Sequence, residues 1–253
     1  MNKTMKRAGW MLGGAAGAVS LGWLGYAATA WYRYGRVVEN GTRDALLDRF
    51  MPAYEVRERH ETRVAAPAAD TYAAARAMDL YRSPLVHAIF RGRELLMRPE
   101  PTRERRPQPL VDEVLALGWG VLAEEPGREI VVGAVTQPWT GDVVFRALPP
   151  AEFASFNEPG YAKIVWTIAA DPLGPAESTF RTETRVVTTD AYARERFRRY
   201  WAVFSPGILL IRRESLRLVK AEAEQQFRDS RIARAGTWLT RARLTGPRGR
   251  ARP

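Results

Sequence analysis

The sequence predicts an α+β domain in which a curved antiparallel sheet wraps around a long C-terminal helix, with a transmembrane helix in front of it. Three observations carry this. Residues Ser178 to Thr188 alternate in polarity and run through a Thr-Thr-Asp corner into a long amphipathic stretch. Residues Tyr161 to Ala169 alternate in the same way. Residues Ala8 to Tyr32 carry no charge and only two distinctly polar side chains, Ser20 and Thr29.

That first segment, as a helix rising ~1.5 Å per residue, exceeds the ~30 Å hydrocarbon core of a bilayer. Trp10 stands near one end and Trp31 with Tyr32 at the other, where interfacial aromatics sit. Residues 1–34 are therefore expected to be a single-pass anchor that meets the membrane through residues 8–32. The rival reading is a signal peptide, since Lys3, Lys6 and Arg7 precede the apolar run and Ala28-Thr29-Ala30 is a small-x-small site; the chain would then be secreted after cleavage near Ala30. Basic residues flank the run on both sides, so the charges do not fix an orientation.

Residues 35–53 read as a short amphipathic linker. Tyr54 to Ala65 suits a first strand with one wet face. Pro67 opens an alanine-rich helix, because proline is tolerated at the first turn. A second helix is predicted over Ser83 to Met97, with Leu85, Ile89, Phe90 and Leu96 on its apolar side. A stretch rich in proline and arginine, Pro99 to Pro109, should be an exposed connection leading into strands. Trp119 to Glu124 and Arg128 to Thr136 flank Glu125-Pro126-Gly127 and read as a hairpin, followed by a strand around Asp142 to Leu148.

Within Tyr161 to Ala169, Ala162, Ile164, Trp166 and Ile168 share one face, and Tyr161, Lys163, Val165 and Thr167 the other. Asp190 is a suitable N-cap for the last helix. Along that helix Ala193, Phe197, Tyr200, Trp201, Phe204, Ile208, Ile211 and Leu218 recur at three- and four-residue steps, opposite Arg194, Arg196, Arg198 and Arg199. Ser205-Pro206-Gly207 predicts a kink or break. The domain is bounded at residues 54–226, and residues 227–253 read as a basic, disordered tail.

Composition narrows the function classes. At 253 residues, 46% of them hydrophobic, the chain can bury a substantial core. It has no cysteine, which excludes disulfides and thiolate chemistry. The formal charge of +11 is concentrated at the termini: from Arg228 onward eight arginines face one acid, Asp229. Such a tail could touch anionic lipid or nucleic acid without sequence specificity; the alternative is a solvated extension. There is no P-loop, no Rossmann glycine pattern and no GxSxG elbow. The two histidines, His60 and His87, lack partners at metal-ligand spacing, so neither a metal nor another cofactor is expected.

Two groups of residues are candidates for a site. Arg181, Glu183 and Arg185 share one strand face; either that face lines a cavity, with Glu183 as a base, or it is a row of cross-strand ion pairs with Phe180, Thr182, Thr184 and Val186 inward. The aromatic set Trp119, Trp139, Trp166, Tyr200, Trp201 and Phe204 is either core or the wall of a hollow, Trp166 and Phe204 being the preferred wall residues.

Three stretches, ETRVAAPAADTYAAA, PGYAKIVWTI and TETRVVTTDAYARERFRRYWAVFSPGILLIRR, resemble the START-like helix-grip superfamily, also called SRPBCC or polyketide cyclase/dehydrase-like. The resemblance covers about Tyr54 to Glu224. It implies a cavity between sheet and C-terminal helix, and with it an apolar small molecule or lipid as ligand. Trp119, Trp166, Tyr200, Trp201, Phe204 and Glu183 are then the expected ligand-binding residues. A cyclase-type enzyme in which Glu183 or Tyr200 moves a proton, and an interaction domain whose cavity its own side chains fill, are the alternatives. The superfamily spans carriers, receptors and enzymes, so the fold alone does not choose among them.

Overall fold

A computed structural model describes residues 20–36, 44–97 and 108–244, with side chains placed for residues 20–36, 44–92 and 108–233. The elements run α1 (residues 20–33), α2 (Ala45–Asp48), β1 (Val56–Val64), α3 (Ala68–Ala77), a 3-10 turn (Leu80–Arg82), α4 (Pro84–Met97) and α5 (Leu110–Ala116). They continue as β2 (Gly120–Glu125), β3 (Glu129–Thr136), β4 (Phe145–Arg146), α6 (Pro150–Ser155), β5 (Ala162–Gly174), β6 (Glu177–Thr188) and α7 (Ala191–Leu244).

The strands form one antiparallel sheet in the order β1-β6-β5-β3-β2, with β4 beside β3. The long β5–β6 hairpin is its spine. The β2–β3 hairpin closes where the sequence places it: Arg128 N donates to Glu125 O at 3.0 Å, and Gly127 takes the positive φ of 77° that the turn requires. The first and last strands in the chain, β1 and β6, meet in register from Val56–Val186 to Val64–Ser178.

The C-terminal helix lies across one face of this sheet, which makes the architecture a helix-grip α+β fold. Asp190 caps it: Ala193 N donates to its carboxylate at 2.7 Å, and Gly160 N donates to the same carboxylate from the turn before β5. Alternation in β5 and β6 gives the sheet two apolar faces. On the α7 side, Ile130, Val132, Ile168 and Phe180 pack with Tyr72 of α3, Val111 of α5 and Val219 and Ala223 of α7. On the opposite side, Val131, Val135 and Val165 pack with Leu47, Phe50 and Met51 around α2 and Phe153 of α6.

Several expectations are corrected. Residues 44–51 are a cover for the sheet, not a solvated linker. Asp44 caps α2 through bonds from Leu46 N and Leu47 N, which turns Leu47 and Met51 into the interior. The helices α5 and α6 were not foreseen, because both are short and start from prolines with no side-chain cap to announce them. The strand expected over Asp142 to Leu148 shrinks to Phe145–Arg146. Of the kink or break expected at Ser205-Pro206-Gly207, the break does not occur: α7 is continuous through Pro206. Loss of one backbone bond costs about 3 kcal/mol in an isolated helix, and here Trp201, Ala202 and Ser205 are buried on one side of Pro206 and Gly207 on the other.

At the ends of the chain, α7 continues to Leu244, past the point where a tail was expected; residues 245–253 lie outside the described residues. Residues 8–19 of the expected anchor, together with most of the proline- and arginine-rich connection, also lie outside them. Among the described residues no helix is long and apolar enough to cross a membrane. What is described of the first segment, α1, docks on α7. Trp23 Nε1 donates to Val203 O at 3.0 Å, Arg198 donates to Trp31 O at 2.9 Å, and the Arg198 guanidinium stacks 4.1 Å from the Trp31 ring centroid.

Candidate ligand cavity

Between the sheet and α7 lies a cavity of about 300 Å³, so the space is not filled by the protein's own side chains. Its sheet wall is the inward half of the alternation: Ile164, Trp166 and Ile168 from β5, and Phe180, Thr182, Thr184 and Val186 from β6. Its helix wall is Phe197, Tyr200, Trp201, Ile208, Ile211, Arg212 and Ser215 from α7. Trp119 and Phe145 close one side as a ring pair with centroids 5.1 Å apart.

That last pair depends on backbone geometry. Gly118 has φ of 102°, and a Cβ there would be driven into the Phe145 carbonyl oxygen. Glycine thus lets the end of α5 press against β4 and sets Trp119 over the cavity.

Of the six residues expected to bind ligand, the structure brings Trp119, Trp166, Tyr200 and Trp201 to the cavity. Trp201 is wedged between cavity and core, stacked on Phe197 at 5.8 Å. Phe204 is not among the lining residues; it packs on Tyr200 with ring centroids 4.9 Å apart. Trp139 belongs to the neighbouring apolar cluster with Tyr34 and Ile208.

Glu183 is on the wrong face. It lies under the α2 cover, where Arg57 Nε (2.9 Å) and Arg185 Nε (2.8 Å) both donate to its Oε1 and Arg59 approaches Oε2 at 3.4 Å. Burial alone would raise its pKa, but the hydrogen bonds from Arg57 and Arg185 outweigh that and hold the carboxyl below its ordinary value. It is a structural anion and cannot act as a base on a molecule in the cavity.

The same face carries two linked ion clusters. Arg185 donates to Asp48 at 2.5 Å and to Met51 O at 2.9 Å, and stacks on Tyr54. Arg181 bonds Asp44, Glu129 (2.8 Å) and Asp171 (2.6 Å). Asp44 is pushed up by burial and pulled down further by the Leu47 amide and Arg181, ending below its ordinary pKa; Glu129 is left above its own, because burial there outweighs Arg181. The charged alternation therefore faces away from the cavity, but onto packed protein rather than onto solvent.

The histidines take no part. His60 points at Glu58 at 3.5 Å on β1, and His87 is exposed, edge-on to Tyr81. Among the described residues no group of histidines and carboxylates could hold a metal ion.

The residue that sequence reasoning missed is Arg212. Among the described residues it is the one cation lining the cavity, and no carboxylate or histidine among them lines it. Its Nη1 donates to the Thr182 hydroxyl at 3.2 Å and its Nη2 to the Thr184 hydroxyl; its Nε is sealed from solvent with no partner. Burial pushes its pKa down to about 10, opposed only by the charge of Glu58. A signal for it did exist: Ile208, Ile211, Arg212 and Ser215 fall at i, i+3, i+4 and i+7, so Arg212 sits inside the apolar stripe of α7.

No protein-family model and no curated protein matches the sequence. Solved structures of similar outline include a conserved protein from Geobacillus kaustophilus, at 11% identity and TM-score 0.31 over 67% of this chain and 96% of that one. Zhui aromatase/cyclase from Streptomyces follows, at 18% identity and TM-score 0.26 over 68% and 94%. The di-domain ARO/CYC BexL has 18% identity and TM-score 0.24 over 67% of this chain and 46% of its own. At these scores the likenesses carry no argument about function, and the helix-grip description rests on the strand order and α7 themselves.

Proposed function

We propose that this chain is a membrane-tethered helix-grip domain that takes an apolar small molecule into the cavity between sheet and α7. The observation that carries the reading is the hollow itself, walled by aromatic and aliphatic side chains from β5, β6 and α7. Its 300 Å³ lies at the small end of ligand pockets, which suits a single chain or a ring system and not a two-chain lipid. Each ~100 Å² of apolar ligand surface buried there contributes about 2.5 kcal/mol before association costs.

Binding fits the site better than catalysis does. An acid–base enzyme needs a group poised to move a proton near neutral pH. Among the described residues the lining offers only Tyr200 and Arg212 as ionisable groups, and Glu183 is out of reach behind the sheet.

The tether is residues 8–32. Its described end, α1, leaves Leu21, Leu24 and Tyr32 exposed while Trp23 holds it against α7, the cavity's helix wall, so an anchor there would place the cavity beside a source of poorly soluble ligand.

The full-length chain should be recovered with membranes after fractionation, with its N-terminus intact, and should carry a co-purified small molecule in native mass spectrometry. The adduct should be absent from Ile211→Trp, which fills the cavity. A folded protein that never carries an adduct would overturn the carrier reading, and a mature N-terminus near Trp31 would overturn the tether.

A further inference from the structure

The ligand's chemistry is written in Arg212. An arginine inside an apolar wall is costly unless its charge is answered. The other arginines buried in this sheet all have answers: Arg181 has three carboxylates and Arg185 has two. Arg212 has none within ion-pair distance among the described residues. Its partners are two neutral hydroxyls, and its Nε–H points at nothing. Glu58, which lies opposite Thr184 in β1 with its carboxylate 3.5 Å from His60 Nε2, acts on Arg212 through its charge without reaching ion-pair distance. A fixed cation that lines a cavity of ligand size, with a second N–H on each Nη beyond the one given to a threonine, is half of an ion pair.

We propose that Arg212 receives the carboxylate of an otherwise apolar acid, whose body lies along Trp166, Ile168 and Trp119. Three features favour a carboxylate over other polar heads. The guanidinium edge matches two carboxylate oxygens in one plane. One negative charge balances the one cation that lines the cavity, whereas a phosphate dianion would leave an excess charge in an apolar chamber. Thr182 and Thr184 hold the guanidinium from the sheet side, so the fork is in place before ligand arrives and little order is lost on binding. Thr182 is fixed in turn by Trp166 Nε1, which donates to its hydroxyl at 2.7 Å and thereby couples the head site to the cavity wall.

This rests on the carrier reading above, and the test separates the two. The full-length chain in phosphatidylcholine nanodiscs is titrated with decanoate, decanol and decyl phosphate. Binding is followed by tryptophan fluorescence against empty discs, since Trp119, Trp166 and Trp201 line the cavity. Decanoate should bind at least tenfold more tightly than decanol, and Arg212→Met should bind both alike. If Arg212→Met does not melt cooperatively, Arg212→Gln, which keeps an amide for the two hydroxyls, carries the same comparison. Equal binding of decanoate and decanol by the parent overturns the carboxylate site and leaves the apolar carrier standing. A preference that survives in the neutral variant, or decyl phosphate binding more tightly than decanoate, also overturns it. No binding of any of the three removes both readings together.

Discussion

Arg212 on α7 donates to the hydroxyl of Thr182 on β6 at 3.2 Å, and this contact joins the two walls of the cavity. One residue earlier on the same strand, Arg181 points through the other face and meets Glu129 at 2.8 Å. Adjacent positions of one strand thus serve opposite purposes, because successive side chains leave a sheet on opposite sides. The outward arginine is neutralised within the protein and the one across the cavity is not, which makes their substitutions diverge.

Removing the unanswered charge should stabilise the empty protein. Arg212→Met exchanges a buried cation with no carboxylate partner for an apolar side chain of similar length, and the relief of its desolvation outweighs the loss of its bonds to the Thr182 and Thr184 hydroxyls. The ligand-free melting temperature should rise by a few degrees. A purely structural arginine would give a fall, so a drop measured by calorimetry would count against Arg212 as a ligand site.

Arg185→Met should do the reverse. It takes a shared partner from Asp48 of α2 and from Glu183, which is left to Arg57 and Arg59, and breaking one partner of a buried cluster costs about 3–5 kcal/mol. Urea unfolding should show the loss, while the preference for decanoate over decanol is unchanged in whatever fraction remains folded.

Acid should weaken the α2 cover first. Glu183 and Asp44 both have folded pKa values below their ordinary ones. Their contribution is therefore complete above the ordinary carboxylate range of about 4 and is lost as pH falls through the lower folded values. Glu129, shifted upward, works the other way: its contribution is complete below the ordinary range and is lost as pH rises through its raised folded value. Melting temperatures from pH 7 down to pH 2 should stay high and then fall steeply below about pH 4. Glu183→Gln should melt lower at pH 7 and show a shallower fall; an equally steep fall in that variant would place the acid sensitivity elsewhere.

Gly118→Ala should loosen the side of the cavity. The substitution demands a left-handed backbone from alanine and drives its Cβ into the Phe145 carbonyl oxygen, a strain of order 1–3 kcal/mol. Expected are a lower melting temperature and a weaker decanol affinity, because Trp119 and Phe145 shift together. Gly127→Ala has the same backbone demand with open space around it, so it should lower stability less and leave affinity alone.

The cavity walls could be read from alternation: Ile164, Trp166 and Ile168 in β5, and Phe180 through Val186 in β6, need only a period of two and a knowledge of which face is apolar. The start of α7 could be read from Asp190 for a similarly local reason. Arg212 was hidden among the many arginines of that helix, since a charge inside an apolar stripe is visible only when the stripe is counted residue by residue. The role of Glu183 was hidden for a different reason. Asp44 and Asp48 reach the arginines of β6 from more than 130 positions away, and no local pattern announces that a linker will fold back over a sheet. Phe204 fits the helical period, yet its ring turns to Tyr200, a choice that lies in rotamers and not in spacing.

The unbroken course of α7 has a mechanical consequence. The turns that line the cavity, from Phe197 to Ser215, belong to the same 54-residue rod that ends at Leu244, some 80 Å long at ~1.5 Å per residue. Pro206 is the residue inside α7 that cannot donate to the helical ladder, and it falls between the lining residues Tyr200 and Ile208. The weakest point of the rod therefore lies against the cavity, and any bending of α7 is expected there.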